Sequence, residues 1–205
     1  MQEINTFTSL LLRLALLVSL ILLSIVIVSM DSELLIRGNS EWSITEVSHK
    51  LCILTSAILF GFAAKYDPRS RGFFILVAGL FAAMAIREAD GLLDNIRKGF
   101  WLYPALSVSA AAIYFSVKQK ATVKLPLLLH MNSAPFAYII QGLVIILIFS
   151  RIFGSGFMWR AVMGDDYDEI HKTVIQEGIE LLGYMIVFYG SIFVFGNAYK
   201  QRNGA

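Results

Sequence analysis

The chain has 205 residues, of which 57% are apolar and 16% charged, with a formal net charge of +2 and a mean hydropathy of +0.69. Soluble domains average about 45–50% apolar and about 25% charged, so this composition excludes a disordered chain, a disulfide scaffold and an ordinary cytosolic enzyme; Cys52 is the single cysteine. The charge is too small for a nucleic-acid binder, and the apolar residues come in long blocks, which predicts an all-α polytopic membrane protein surrounded by the lipid bilayer.

A helix needs about 20 mostly apolar residues to cross the bilayer core. Six segments qualify, at 8–28, 47–64, 73–91, 101–117, 135–153 and 178–196, and together they predict a single six-helix transmembrane domain over 1–205. The first carries Arg13 near its start. Its apolar run exceeds the 7–15 residues of a signal-peptide core and no small-x-small pattern follows, so it is expected to be retained. The connection from Met30 to Ser48 is the longest and is expected to hold a short interfacial helix around Trp42. The third span ends in Arg87, Glu88, Asp90 and Asp94. Arg87, Asp90, Asp94 and Arg97 would form one stripe on a continuous helix.

The fourth span has Pro104 in its first turn, where a missing N–H costs little. Its Ser107, Ser109, Ala110, Ala111 and Ala112, like Gly183, Gly190 and Gly196 of the sixth, suit close helix packing or a dimer face. Gln141 in the fifth span is expected to hydrogen-bond to another helix, and Arg151 sits near that span's end. The sixth span extends back toward Asp166, where Asp166-x-x-Glu169 resembles a capping box. Asp166, Asp168 and Glu177 match positions of a calcium loop, but Ile170 and His171 occupy the ligand and glycine positions, which excludes an EF-hand.

Six spans put both termini on one side. That side holds Lys65, Arg69, Arg71, Lys118, Lys120, Lys124, Lys200 and Arg202, and the positive-inside rule makes it cytoplasmic. The other side holds 13 of the 15 acids, together with Trp42, Trp101 and Trp159 as an interfacial belt. No Asn-x-Ser/Thr sequon occurs, which with short loops favours a bacterial inner membrane.

Ionisable groups within spans are costly and face protein or water. Here they gather at one depth in the outer half: Arg87, Glu88 and Asp90 on the third span, Arg151 on the fifth, and Glu177 and Glu180 on the sixth, with His49 opening the second. Tyr184 lies one turn below Glu180 on a similar face. These groups make up a candidate site that binds or conducts a cation or proton. His171, Glu177, Glu180, Glu88 and His49 are the candidate ligands if the cation is a divalent metal. His130 falls at the opposite end, so no three-histidine site forms. Two other readings stand beside this one. The layer is only a set of buried ion pairs in a structural or assembly subunit, or in a homo-oligomer. Alternatively, the chain is a metal-dependent enzyme acting on a lipid headgroup, whose phosphate the arginines would hold.

Overall fold

The computed structural model describes the backbone of residues 2–36 and 43–203, and within these every side chain except those of residues 2–6, 32–36, 171 and 203. Among the described residues the secondary structure is helical throughout: α1 (Gln2–Ile36), α2 (Ile44–Tyr66), α3 (Arg71–Glu88), α4 (Asp90–Leu93), α5 (Leu102–Lys118), α6 (Lys124–Met131), α7 (Ala134–Val144), α8 (Ser150–Phe153), α9 (Gly156–Met163) and α10 (Glu169–Asn203). Five stretches are long and apolar enough to cross a membrane: Phe7–Asp31, Ile44–Tyr66, Pro68–Glu88, Ala134–Phe153 and Lys172–Arg202. Leu12, Leu22, Leu51, Leu80 and Ile148 point outward along them. This is the build of an integral membrane protein. The fourth segment expected to span forms α5, which at 17 residues is shorter than these five.

Local chemistry sets the boundaries. Ser43 caps α2 by accepting from the Glu46 N–H at 3.1 Å. The carboxylate of Asp31, fully buried on α1, accepts from the Thr45 N–H at 2.8 Å and so ties α1 to the same helix start. α2 stops at Tyr66 because Asp67 precedes Pro68 and is extended (φ −117°, ψ 92°). The long connection expected from Met30 is mostly helix, since α1 runs on to Ile36; Trp42 lies outside the described residues. α3 ends at Glu88, where Ala89 leaves helical geometry (φ −96°, ψ 16°). The stripe expected through Arg87, Asp90, Asp94 and Arg97 is therefore broken. Asp94 instead accepts from the Gly99 N–H at 2.9 Å, and Gly99 turns the chain at φ +79°. At the start of α10 the acceptor is Asp168, bonded to the Ile170 N–H at 3.0 Å, rather than Asp166, which belongs to a 3₁₀ turn.

α10 is the hub, packed against α1, α2 and α7; α3 rests on α2, and α5 on α3. Small residues permit the close approaches. A Cβ at Gly142 would lie 2.7 Å from the Gly183 carbonyl oxygen, and one at Gly190 would lie 2.7 Å from that of Pro135. Gly79 meets Ala112 in the same way where α3 crosses α5. Phe60 fills the core between α2 and α3, edge-on to Phe74 and Phe81 with centroids 5.7 and 5.5 Å apart. Gln141 is exposed on α7 rather than turned toward a neighbour.

Contacts at both ends fix the directions. His49 meets Glu177 at one end, and Tyr66 meets Tyr199 at the other, so α2 and α10 run parallel. Arg13 lies beside Tyr189 and Phe193, so α1 is antiparallel to α10. The Ser116 hydroxyl donates to the Gly72 carbonyl at 2.8 Å, so α5 is antiparallel to α3. The start of α1 and the end of α10 thus share one end of the bundle. That end also holds His130, stacked on Phe73 at 5.4 Å with its Nε2 3.2 Å from the Ser70 hydroxyl.

Candidate functional site

The opposite end gathers the charges. Glu88 arrives on the last turn of α3, His49 on the second turn of α2, and Glu177 and Glu180 one helical turn apart on α10. Arg151 and Ser150 come from α8 through a backbone irregularity. α7 and α8 are one rod interrupted by a π turn at Ile145–Phe149, with the Ser150 N–H bonded to the Ile145 carbonyl. One extra residue in a turn rotates everything after it by about 100°, and this rotation brings Ser150 and Arg151 round to α10. Such π turns recur at functional sites.

Glu180 is nearly buried and makes the most contacts. Its Oε1 accepts from the Ser150 hydroxyl and from the Gln176 amide, each at 3.1 Å, and lies 3.4 Å from an Arg151 guanidinium nitrogen. Glu88 pairs with Arg87 at 3.0 Å, and Tyr184 is among the groups that act on it electrostatically. The Tyr184 ring packs 5.3 Å from that of His49.

His49 is fully buried. Its Nε2 lies 3.2 Å from the Glu177 carbonyl oxygen, an acceptor, so Nε2 carries the proton. In the neutral ring that leaves Nδ1 with its lone pair. Nδ1 lies 3.6 Å from Glu177 Oε2, beyond hydrogen-bond range, and has no partner among the described residues. One ligand atom each from His49, Glu177 and Glu180 lie within 4.8 Å of one another.

The formal charges do not cancel. Glu88, Glu177 and Glu180 face Arg87 and Arg151, so three carboxylates meet two guanidiniums. The nearby Lys50 pairs with Glu46 on its own helix at 3.3 Å and does not make up the difference. Burying an uncompensated charge is expensive; here Glu180 is nearly buried, whereas Glu177 is 23% and both arginines 44% exposed. Imidazole with two carboxylates is a donor set for zinc, manganese or iron.

Of the residues expected from the sequence, Glu88, Glu177, Glu180, Arg87, Arg151 and His49 come together. Asp90 does not join them. It is exposed beyond the α3 break, and its carboxylate accepts from the Gly91 N–H at 2.8 Å. The His171 side chain lies outside the described residues. Ser150 and Gln176 were not foreseen; Gln176 sits one turn before Glu180, a spacing the sequence displays. No protein-family model, curated protein or solved structure matches the chain.

Proposed function

We propose that this chain is a small membrane protein whose His49–Glu177–Glu180 cluster, buried at His49 and Glu180 and half-buried at Glu177, binds a proton or metal cation, with Glu88 and Tyr184 as its next neighbours. In this reading α5 is the fourth of six spans, both termini are cytoplasmic, and the cluster faces outward in a bacterial inner membrane. Support for six crossings comes from direction. α3 and α7 run the same way, so the chain must return between them, and α5 antiparallel to α3 makes that return. Lys65, Lys118 and Lys200 end α2, α5 and α10 at the far end from the cluster, as the positive-inside rule requires of a cytoplasmic face.

The observation that carries the cation reading is the buried, unpartnered Nδ1 of His49 beside a charge-imbalanced set of carboxylates. The test is made on the full chain purified in mild detergent without chelators. Elemental analysis and equilibrium dialysis against zinc and manganese measure metal, and infrared spectroscopy across a pH titration measures protonated carboxyl. Either a bound metal or a protonated carboxyl at neutral pH is expected, lost in Glu177→Gln and His49→Gln. If wild type holds no metal and every carboxyl is ionised at neutral pH, the proposal fails. A second reading, structural ion pairing alone, is favoured by the Arg87–Glu88 and Arg151–Glu180 pairs. It predicts that those same variants lose stability and nothing else.

A further inference from the structure

A separate concave site lies at the other end of the bundle. The end of α2, the Pro68 turn and the end of α10 border an open concavity of about 850 Å³ lined by Lys65, Tyr66, Asp67, Arg69, Lys200 and Arg202, among others. Four of these are cationic. The one acid is committed elsewhere, since Asp67 Oδ1 accepts from the Arg69 N–H at 3.0 Å and starts the 3₁₀ turn. The wall is aromatic and braced. Tyr66 packs edge-on to Tyr199 at 5.4 Å and against Phe195 at 5.9 Å, and the Arg202 guanidinium lies 5.1 Å over its ring. A guanidinium held on an aromatic face loses less freedom when it binds a second group.

We infer that this pocket binds a phosphate group, presented by an anionic phospholipid headgroup or by a soluble phosphate. The charges decide the sign of the ligand. The C-termini of α2 and α10 meet here and each contributes about half a negative charge. Four basic side chains against Asp67 leave an excess of three positive charges, which outweighs them. The place suits the ligand too, in the orientation proposed above, because basic pockets between helix ends on the cytoplasmic side of a membrane meet lipid headgroups. Arginine supplies the forked donors that phosphate oxygens accept. This site is independent of the cation cluster and stands or falls without it.

The test uses the full chain, delipidated in detergent, and native mass spectrometry. The probes are phosphatidylglycerol, phosphatidylcholine and inorganic phosphate. Lys200→Gln/Arg202→Gln removes two pocket charges. Lys118→Gln/Lys120→Gln removes the same charge at the same end but outside the pocket. Phosphatidylglycerol is expected to bind wild type and the outside variant alike, to bind the pocket variant about thirtyfold more weakly, and to be preferred over phosphatidylcholine. Arg69→Gln, on the opposite wall, is expected to weaken it in the same sense, which preserves the test if the double variant folds poorly. Competition by inorganic phosphate at millimolar concentration, or binding of phosphate without the lipid, identifies a soluble source. Retention of lipid against phosphate identifies the headgroup. The proposal is overturned if both double variants lose lipid equally, if phosphatidylcholine binds as well as phosphatidylglycerol, or if neither anionic probe binds wild type.

Discussion

Glu180 separates shape from charge in the outer cluster. Replacing it by alanine removes the acceptor for Ser150 and Gln176, both at 3.1 Å. A hydrogen bond to a charged acceptor is worth about 1.5–3 kcal/mol. The Ser150 hydroxyl also donates to the Ile146 carbonyl, so its loss is partial. The Arg151 side chain is 44% exposed, so its pairing at 3.4 Å is screened and adds less than about 1 kcal/mol. Glu180→Ala is therefore expected to cost about 2–4 kcal/mol. Glu180→Gln keeps a carbonyl oxygen at the same place and is expected to cost about 1 kcal/mol, the charge-assisted part alone. The assay is reversible unfolding of the purified protein in mixed detergent micelles, followed by circular dichroism. Equal losses in the two variants would mean that the charge itself braces the bundle and that the cluster is structural. No loss in Glu180→Ala would mean that these hydrogen bonds contribute nothing, and the reasoning from geometry would be wrong.

Other expectations follow from single features. Gly142→Val places a side chain against the Gly183 carbonyl and Val187, where a Cβ has 2.7 Å of room; overpacking of this kind costs about 1–3 kcal/mol, read as a lower melting temperature in detergent. Asp31→Ala removes the acceptor for the Thr45 N–H at the start of α2 and is expected to cost about 1 kcal/mol, whereas Asp31→Asn keeps the acceptor and costs less in the same unfolding assay. Desolvation holds the His130 imidazole below its ordinary range, with Asp67 opposing that shift. Its folded value lies below its unfolded value of about 6.5, so the neutral ring contributes stability that is full above that pH and lost as pH falls toward the folded value. Melting temperatures measured from pH 7.5 to 5 should show that fall in wild type and a smaller one in His130→Gln; parallel curves would show that His130 is not responsible.

Depth was legible in the sequence and neighbourhood was not. Counting turns from the span ends put Glu88, Glu177, Glu180 and Arg151 at one level, because rise per residue is nearly constant in a helix. The long apolar runs likewise announced α1, α2 and α10, with the helices reaching two or three residues beyond the expected ends in α2 and six to nine in α1 and α10. Which helices touch depends on packing that periodicity does not encode. His49 reaches Glu177 because α2 lies parallel to α10, and Ser150 reaches Glu180 because of a π turn that no residue in Ile145–Phe149 signals. The break at Ala89 was equally silent, since alanine is a good helix former. It removed Asp90 from a set that the regular spacing had included.

The position of α10 also bears on the order in which the protein can be assembled. A chain is made from its N-terminus, so α1 leaves the ribosome well before its chief partner, α10. Until α10 follows, α1 must persist in lipid with only its tie to α2 through Asp31 and Thr45. It is suited to that, with its backbone bonds closed within the helix and Phe7–Asp31 the most apolar of the five membrane-length stretches. Even in the finished bundle its joint with α10 is loose, leaving an apolar groove of about 290 Å³ between Ile21, Ser24 and Val28 on one side and Ile175, Gly178 and Leu182 on the other. α2 and α7 also wait for the same helix. A truncation that removes α10 would therefore leave α2, α3 and α5 packed on one another but α1 and α7 without their chief partner.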